Sequence, residues 1–103
     1  MKGIMMSIQL NLELNSQQSI QSIARAITIY QVSLQRSIKQ TQQRLKQFEE
    51  KYNVTTDYFL NGMVAEDLSD GDLEYVEWAG EAHLLSGLNL ELNELENVSH
   101  QFS

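Results

Sequence analysis

The sequence predicts a mostly α-helical, elongated protein: a short N-terminal strand, a long coiled-coil-like helix, a short middle helix, and a C-terminal helix that packs back as an extended helical hairpin. Three observations carry this expectation. Residues 16–52 contain neither Pro nor Gly and repeat apolar residues at steps of three and four. A second, shorter seam of similar rhythm begins at Trp78. Between the two, turn-forming and capping residues break the pattern at 53–57. A chain of 103 residues makes one domain, expected over 1–103 with elements at 7–14 (strand), 16–52, 55–66 and 72–97 (helices).

In chain order, Ser7 to Leu14 alternates polar and apolar side chains without a miss, the period of a half-buried strand. A lone strand leaves its backbone edges unpaired, so it needs a twin in a dimer or the edge of another protein. Asn15 or Ser16 then offers a side-chain oxygen to cap the long helix. The seam of that helix runs through Ile20, Ile23, Ile27, Tyr30, Leu34, Ile38, Thr41, Leu45, Phe48 and Tyr52, at steps 3-4-3-4-4-3-4-3-4. This is a heptad rhythm with one extra four-residue step between Leu34 and Ile38. An unbroken helix over 16–52 is about 55 Å long at ~1.5 Å per residue, roughly twice the width of a compact domain of this size. A rod of that length does not hide its stripe within its own monomer. Ile20, Ile23, Ile27, Tyr30, Leu34, Ile38, Leu45 and Phe48 are therefore the expected oligomerisation surface, in a dimer or higher homo-oligomer. Outside the seam the helix is rich in Gln and Ser with scattered basic residues, a solvated polar face.

The rhythm stops at Lys51 to Asp57. Asn53 suits the left-handed conformation that ends a helix, and Thr55 can start the next. Tyr58, Phe59, Leu60 and Met63 supply a short apolar helix, followed by an acidic turn around Gly71 in which Asp70 or Asp72 can cap the last helix. That helix carries Trp78, Leu85, Leu88, Leu92 and Leu95 on its seam, with Glu81 intruding. Gly80 and Gly87 weaken it, by about 1 kcal/mol each relative to Ala. The hexapeptide Leu10 to Asn15 recurs at Leu88 to Asn93 and fits a strand or a helix. The helix formers flanking the second copy favour helix there.

Charge divides the chain. Residues 1–52 hold all seven basic residues against three acids, a balance of +4; residues 53–103 hold eleven acids and no Lys or Arg, a balance of −11, which together give the net −7. Such an acidic half repels nucleic acid and attracts a basic surface, more weakly as salt rises. With no Cys there is no disulfide framework or thiolate metal site, consistent with a cytoplasmic location. The apolar run within Met1 to Met6 is too short for a signal peptide, and nowhere do about 18 consecutive apolar residues suggest a membrane span.

No catalytic or cofactor constellation is legible, so no enzymatic role, metal or cofactor is expected. Phosphate loops, nucleophile elbows and paired zinc histidines are absent. His83 lies beside Ala82 and Leu84 as a helix residue, and His100 falls in an expected frayed tail. Glu74, Glu77 and Glu81 share one helical face, but without a cationic or His partner their repulsion is more simply relieved by water or by a partner's Arg side chains. A calcium loop with Gly71 at its sixth position puts Leu68 at the third, where an oxygen ligand is needed. A strand before a helix, paired across a two-fold, is similar to the arrangement in ribbon DNA readers. Glu13 on the strand and the acidic second half both oppose DNA binding by the protein alone.

The residues around the break carry a likeness. Phe48-Glu49-Glu50-Lys51-Tyr52, then Asn53 to Phe59, then the acidic turn Asp67 to Asp72, then Glu77-Trp78, resemble a group of small bacterial and archaeal proteins abundant in cyanobacteria, the antitoxins of type II toxin–antitoxin pairs. The likeness covers about residues 40–95, with Asn53 standing where many relatives have Gly and Gly62 where they have a charged residue. It implies a partner: a small basic toxin, encoded alongside, that the antitoxin binds and silences. If that toxin cleaves RNA, its active site is basic, and the acids of Asp57 to Glu96 would occupy it as phosphate mimics. The residues expected to bind are Tyr58, Asp67, Asp70, Asp72, Glu74, Tyr75, Glu77, Trp78 and Glu81, with Phe59 as a further anchor. Against the anchor role, Phe59 and Trp78 are more readily the chain's own core; the rival expectation for function is a structural homo-oligomer, a coiled-coil scaffold without an inhibitory target.

Overall fold

The computed structural model of the chain describes residues 17–63 and 73–102. The expected strand at 7–14, the cap at Asn15 or Ser16, the end of the short helix and the acidic turn lie outside the described residues. Those described are almost entirely helical, with no strand among them. Helix α1 spans Gln17–Tyr52, α2 spans Thr56–Tyr58 and runs into a π turn at Phe59–Met63, and α3 spans Leu73–Phe102. α3 folds back antiparallel along α1 to make the hairpin. The molecule measures 56 × 30 × 17 Å with a radius of gyration of 20.1 Å. A compact chain of this length would have a radius of about 13 Å, so the hairpin stays a rod.

The α1 seam is regular. Gln31, half-buried, occupies the position that sequence spacing gave to Tyr30, which is 43% exposed at the edge of the interface. With Gln31 in place the steps from Ile27 through Leu34, Ile38, Thr41, Leu45 and Phe48 to Tyr52 alternate four and three, and the extra four-residue step moves from Leu34–Ile38 to Ile27–Gln31. Leu34, Ile38, Thr41 and Leu45 are buried within the chain, while Ile20, Ile23, Ile27 and Phe48 are half-buried. Thr41 tolerates burial because its hydroxyl donates to the Ser37 carbonyl at 2.9 Å and accepts from Arg44 Nη2 at 3.3 Å.

α3 extends beyond the expected stop at 97. Leu95 and Ser99 continue its half-buried line, no Gly or Pro follows Gly87, and His100 sits in the last turn, inside the helix rather than in a frayed tail. Leu88 to Asn93 are helical. Gly80 and Gly87 face open space, so neither glycine is required by close packing.

Candidate functional site

The chemistry-bearing residues converge where the two long helices are joined. α1 ends because Asn53 takes φ 56°, the left-handed conformation that diverts the chain. Thr55, extended at φ −78° and ψ 159°, then caps α2: its hydroxyl accepts from the Tyr58 N–H at 3.1 Å and its carbonyl from the Phe59 N–H at 3.0 Å. The Thr56 N–H donates to Glu49 Oε2 at 2.7 Å, which ties the new turn to the side of α1. These short-range bonds aim Phe59 inward.

There Phe59 lies on Trp78 with ring centroids 3.9 Å apart and planes 2° from parallel. Phe48 and Tyr52 stack on the same indole at 5.5 Å each. Tyr75 meets Phe59 and Tyr52 edge-on at 5.3 Å. Leu45, Phe59 and Trp78 form the buried core of this cluster. Trp78 and Phe59 have no exposed surface, and the indole N–H is satisfied by Thr56 Oγ1 at 3.1 Å. Aromatic pairs in these geometries add about 0.5–1.5 kcal/mol each beyond area burial. Phe48, Tyr52, Phe59 and Trp78 are thus the clamp of the hairpin.

Two ion pairs border the clamp. Arg44 Nε meets Glu81 Oε1 at 2.9 Å, and Lys51 Nζ donates to Glu74 Oε1 while the Tyr52 hydroxyl donates to Oε2 of the same carboxylate. The hydrogen bonds from Lys51 and then Tyr52 hold the Glu74 carboxyl below its usual range. Arg44 and Lys51 are seven residues apart, as are Glu74 and Glu81, so both pairs belong to one flank of one antiparallel register. Glu81, the intruder in the α3 seam, is thereby matched by α1, although its Oε2 is buried with no hydrogen-bond partner among the described residues.

The expected partner-binding residues divide accordingly. Tyr58 is 60% exposed and Glu77 is exposed; Glu74, Tyr75 and Glu81 are half-buried in contacts within the chain; Trp78 is wholly inside. Asp67, Asp70 and Asp72 lie outside the described residues. Sequence reasoning missed the matching of Arg44 and Lys51 with α3, legible in hindsight as equal heptad spacing of opposite charge. It also missed Leu73 and Val76, apolar residues left exposed beside Glu77. Glu74, Glu77 and Glu81 do not act as a unit, since the first and last are each engaged by α1. Among the described residues no group of three or more His, Asp or Glu side chains is placed to hold a metal ion, and no helix is long and apolar enough to cross a membrane.

At the other end of the hairpin an open groove of about 190 Å³ is lined by Tyr30, Glu91, Glu94, Leu95 and Val98. There the carboxylate of Glu91 beside Tyr30 holds its phenol above the usual range. In comparisons with family models, curated proteins and solved structures, none matches this chain.

Proposed function

We propose that this protein is a binding module of antitoxin type, which self-associates through its long helix and uses its acidic C-terminal half to bind and neutralise a small basic toxin, without catalysis of its own. The observation that carries the reading is the acid left over after folding. The ion pairs Arg44–Glu81 and Lys51–Glu74 engage two carboxylates of α3, and Glu77, Glu91, Glu94 and Glu96 remain exposed on a helix with no Lys or Arg. A surface of one sign speeds encounter with a surface of the opposite sign and rejects others. Leu73 and Val76, exposed on the same helix as Glu77, and the exposed Tyr58 supply apolar anchors of the kind that dominate binding energy. The likeness across residues 40–95 points to the same role.

The test is co-expression with the short basic product of the neighbouring reading frame. Growth arrest by that product, relieved by this chain, is expected, and Tyr58→Ala combined with Glu77→Lys should weaken the relief without altering the helical circular dichroism signal. Trp78→Ala is the wrong probe of a partner surface, because Trp78 is in the core. Undiminished relief by the double variant would move the interface elsewhere. Absence of any toxic neighbour would favour the scaffold reading, which draws its own support from the apolar residues exposed far from the clamp, Ile29, Val32, Leu90 and Val98.

A further inference from the structure

The inward seams of α1 and α3 face each other, and the pairs Arg44–Glu81 and Lys51–Glu74 tie one edge of that contact. Away from it each helix carries a second stripe. On α1, Arg25, Ile29, Val32, Arg36 and Lys39 follow one another at steps of four, three, four and three, and all five are exposed, Ile29 by 64%. On α3, Glu77, Gly80, Leu84, Gly87 and Glu91 follow at three, four, three and four, and all five are exposed. Such steps bring residues onto one face of a helix. A face turned to water is ordinarily polar throughout, yet each of these has an aliphatic centre.

Read in opposite directions the two stripes match step for step. Arg25 falls level with Glu91, Ile29 with Gly87, Val32 with Leu84, Arg36 with Gly80 and Lys39 with Glu77. In an antiparallel helix pair, residues at matched heights form the successive layers of the interface. Here the outer layers join opposite charges and the middle one joins two exposed aliphatic side chains. The other two set the large Ile29 and Arg36 against glycines with open space where a side chain would stand, so the backbones can approach closely. Each glycine costs its helix about 1 kcal/mol relative to Ala, and no contact among the described residues accounts for that cost. On α1, an open groove of about 280 Å³ along Ile29, Val32 and Arg36 leaves room for Leu84. Among the described residues Arg25, Arg36 and Lys39 make no ion pair, and Glu91 has only the uncharged Tyr30 beside it. Residues 1–16 adjoin α1 but hold one acid, Glu13, which cannot match three cations.

We propose that the α1 stripe from Arg25 to Lys39 seats antiparallel on the α3 stripe from Glu77 to Glu91 of a second copy of this chain. The contact joins two different surfaces and is therefore heterologous. Each copy keeps one stripe free for a further neighbour, so association runs beyond two molecules, as an open row or a ring. The inference deepens, and rests on, the self-association part of the reading above. It moves the contact on α1 from the seam, where α3 packs, to the outward face.

Sedimentation velocity of the full chain, from micromolar to millimolar concentration at low salt, should show mass climbing past twice the 11.8 kDa of one chain, and added salt should reverse it. Lys39→Glu and Glu77→Lys, both at exposed positions, should each weaken association by at least about tenfold. An equimolar mixture of the two should associate again, because opposite charges then face each other at every contact between unlike chains. Gly87→Leu should raise helix stability while weakening association, a pair of effects that misfolding does not produce. A chain that stays monomeric at the top of the range overturns the proposal, whether residues 1–16 or another segment covers the stripes. So does mass that stops at a closed dimer, a mixture that fails to associate, or association indifferent to Gly87→Leu. Glu77 also belongs to the surface proposed for the toxin, so Lys39→Glu separates the two readings. Growth relief kept by a monomeric Lys39→Glu variant leaves toxin binding independent of this contact, and association without any relief removes the toxin alone.

Discussion

At the joined end of the hairpin Trp78 and Phe59 expose nothing, whereas at the open end Ile29 and Leu90 expose 64% and 65% of their surface. Both ends are built from the same two helices with the same rhythm. The difference is one short segment. Thr56–Met63 crosses the seam at the joined end and turns a pair of helices into a small layered core; nothing among the described residues does so at the other. Seam periodicity therefore brings helices together, but burial requires a third surface, which Thr56–Met63 supplies at the joined end.

Substitutions that break this contrast should scale with the layering. Trp78→Ala is expected to cost about 3–5 kcal/mol, enough to consume much of the stability of a small domain. Leu92→Ala, half-buried at the open end, should cost clearly less in the monomer. Urea titration followed by circular dichroism measures both, and equal losses would erase the distinction between the ends. Thr56→Val is next. It removes the acceptor of the buried indole N–H and should destabilise by about 1–3 kcal/mol, with a change in the fluorescence of the single Trp that open-end variants do not produce.

A smaller effect is expected at the turn. Asn53→Ala forces a residue less suited to φ 56° into the left-handed region, at a cost of about 1 kcal/mol, read as a lowered urea midpoint. The smallest concerns pH. Because Lys51 and Tyr52 depress the Glu74 carboxyl, its contribution is fully present above the ordinary carboxylate range and is lost as pH falls through the depressed folded value. The joined end should loosen first on acidification, and Glu74→Gln should flatten that limb of the stability profile. An unchanged acid limb would place the sensitivity elsewhere.

Much of the architecture was legible in the residues. Two long helices, their antiparallel return and the break at Asn53 follow from apolar spacing and capping, which are properties of a few consecutive residues. The candidate site was legible only in part. Arg44 and Lys51 looked like scattered solvated charges, and Trp78 served equally well as a surface anchor or a core residue, because either fate depends on what lies opposite.

Periodicity and charge order are local, so the chain alone determined where it would coil, which stripe on each helix is apolar, and that eleven of its fourteen acids lie in one half. Which residues meet is long-range. Trp78 reaches Thr56, and Glu74 reaches Lys51 and Tyr52, across more than twenty residues of sequence, and only the register set by the turn from Asn53 to Phe59 selects those pairs. The same register moves Tyr30 to the rim and brings Gln31 into the seam. A helix knows its own face, but the surface it is pressed against is chosen by how the chain folds back.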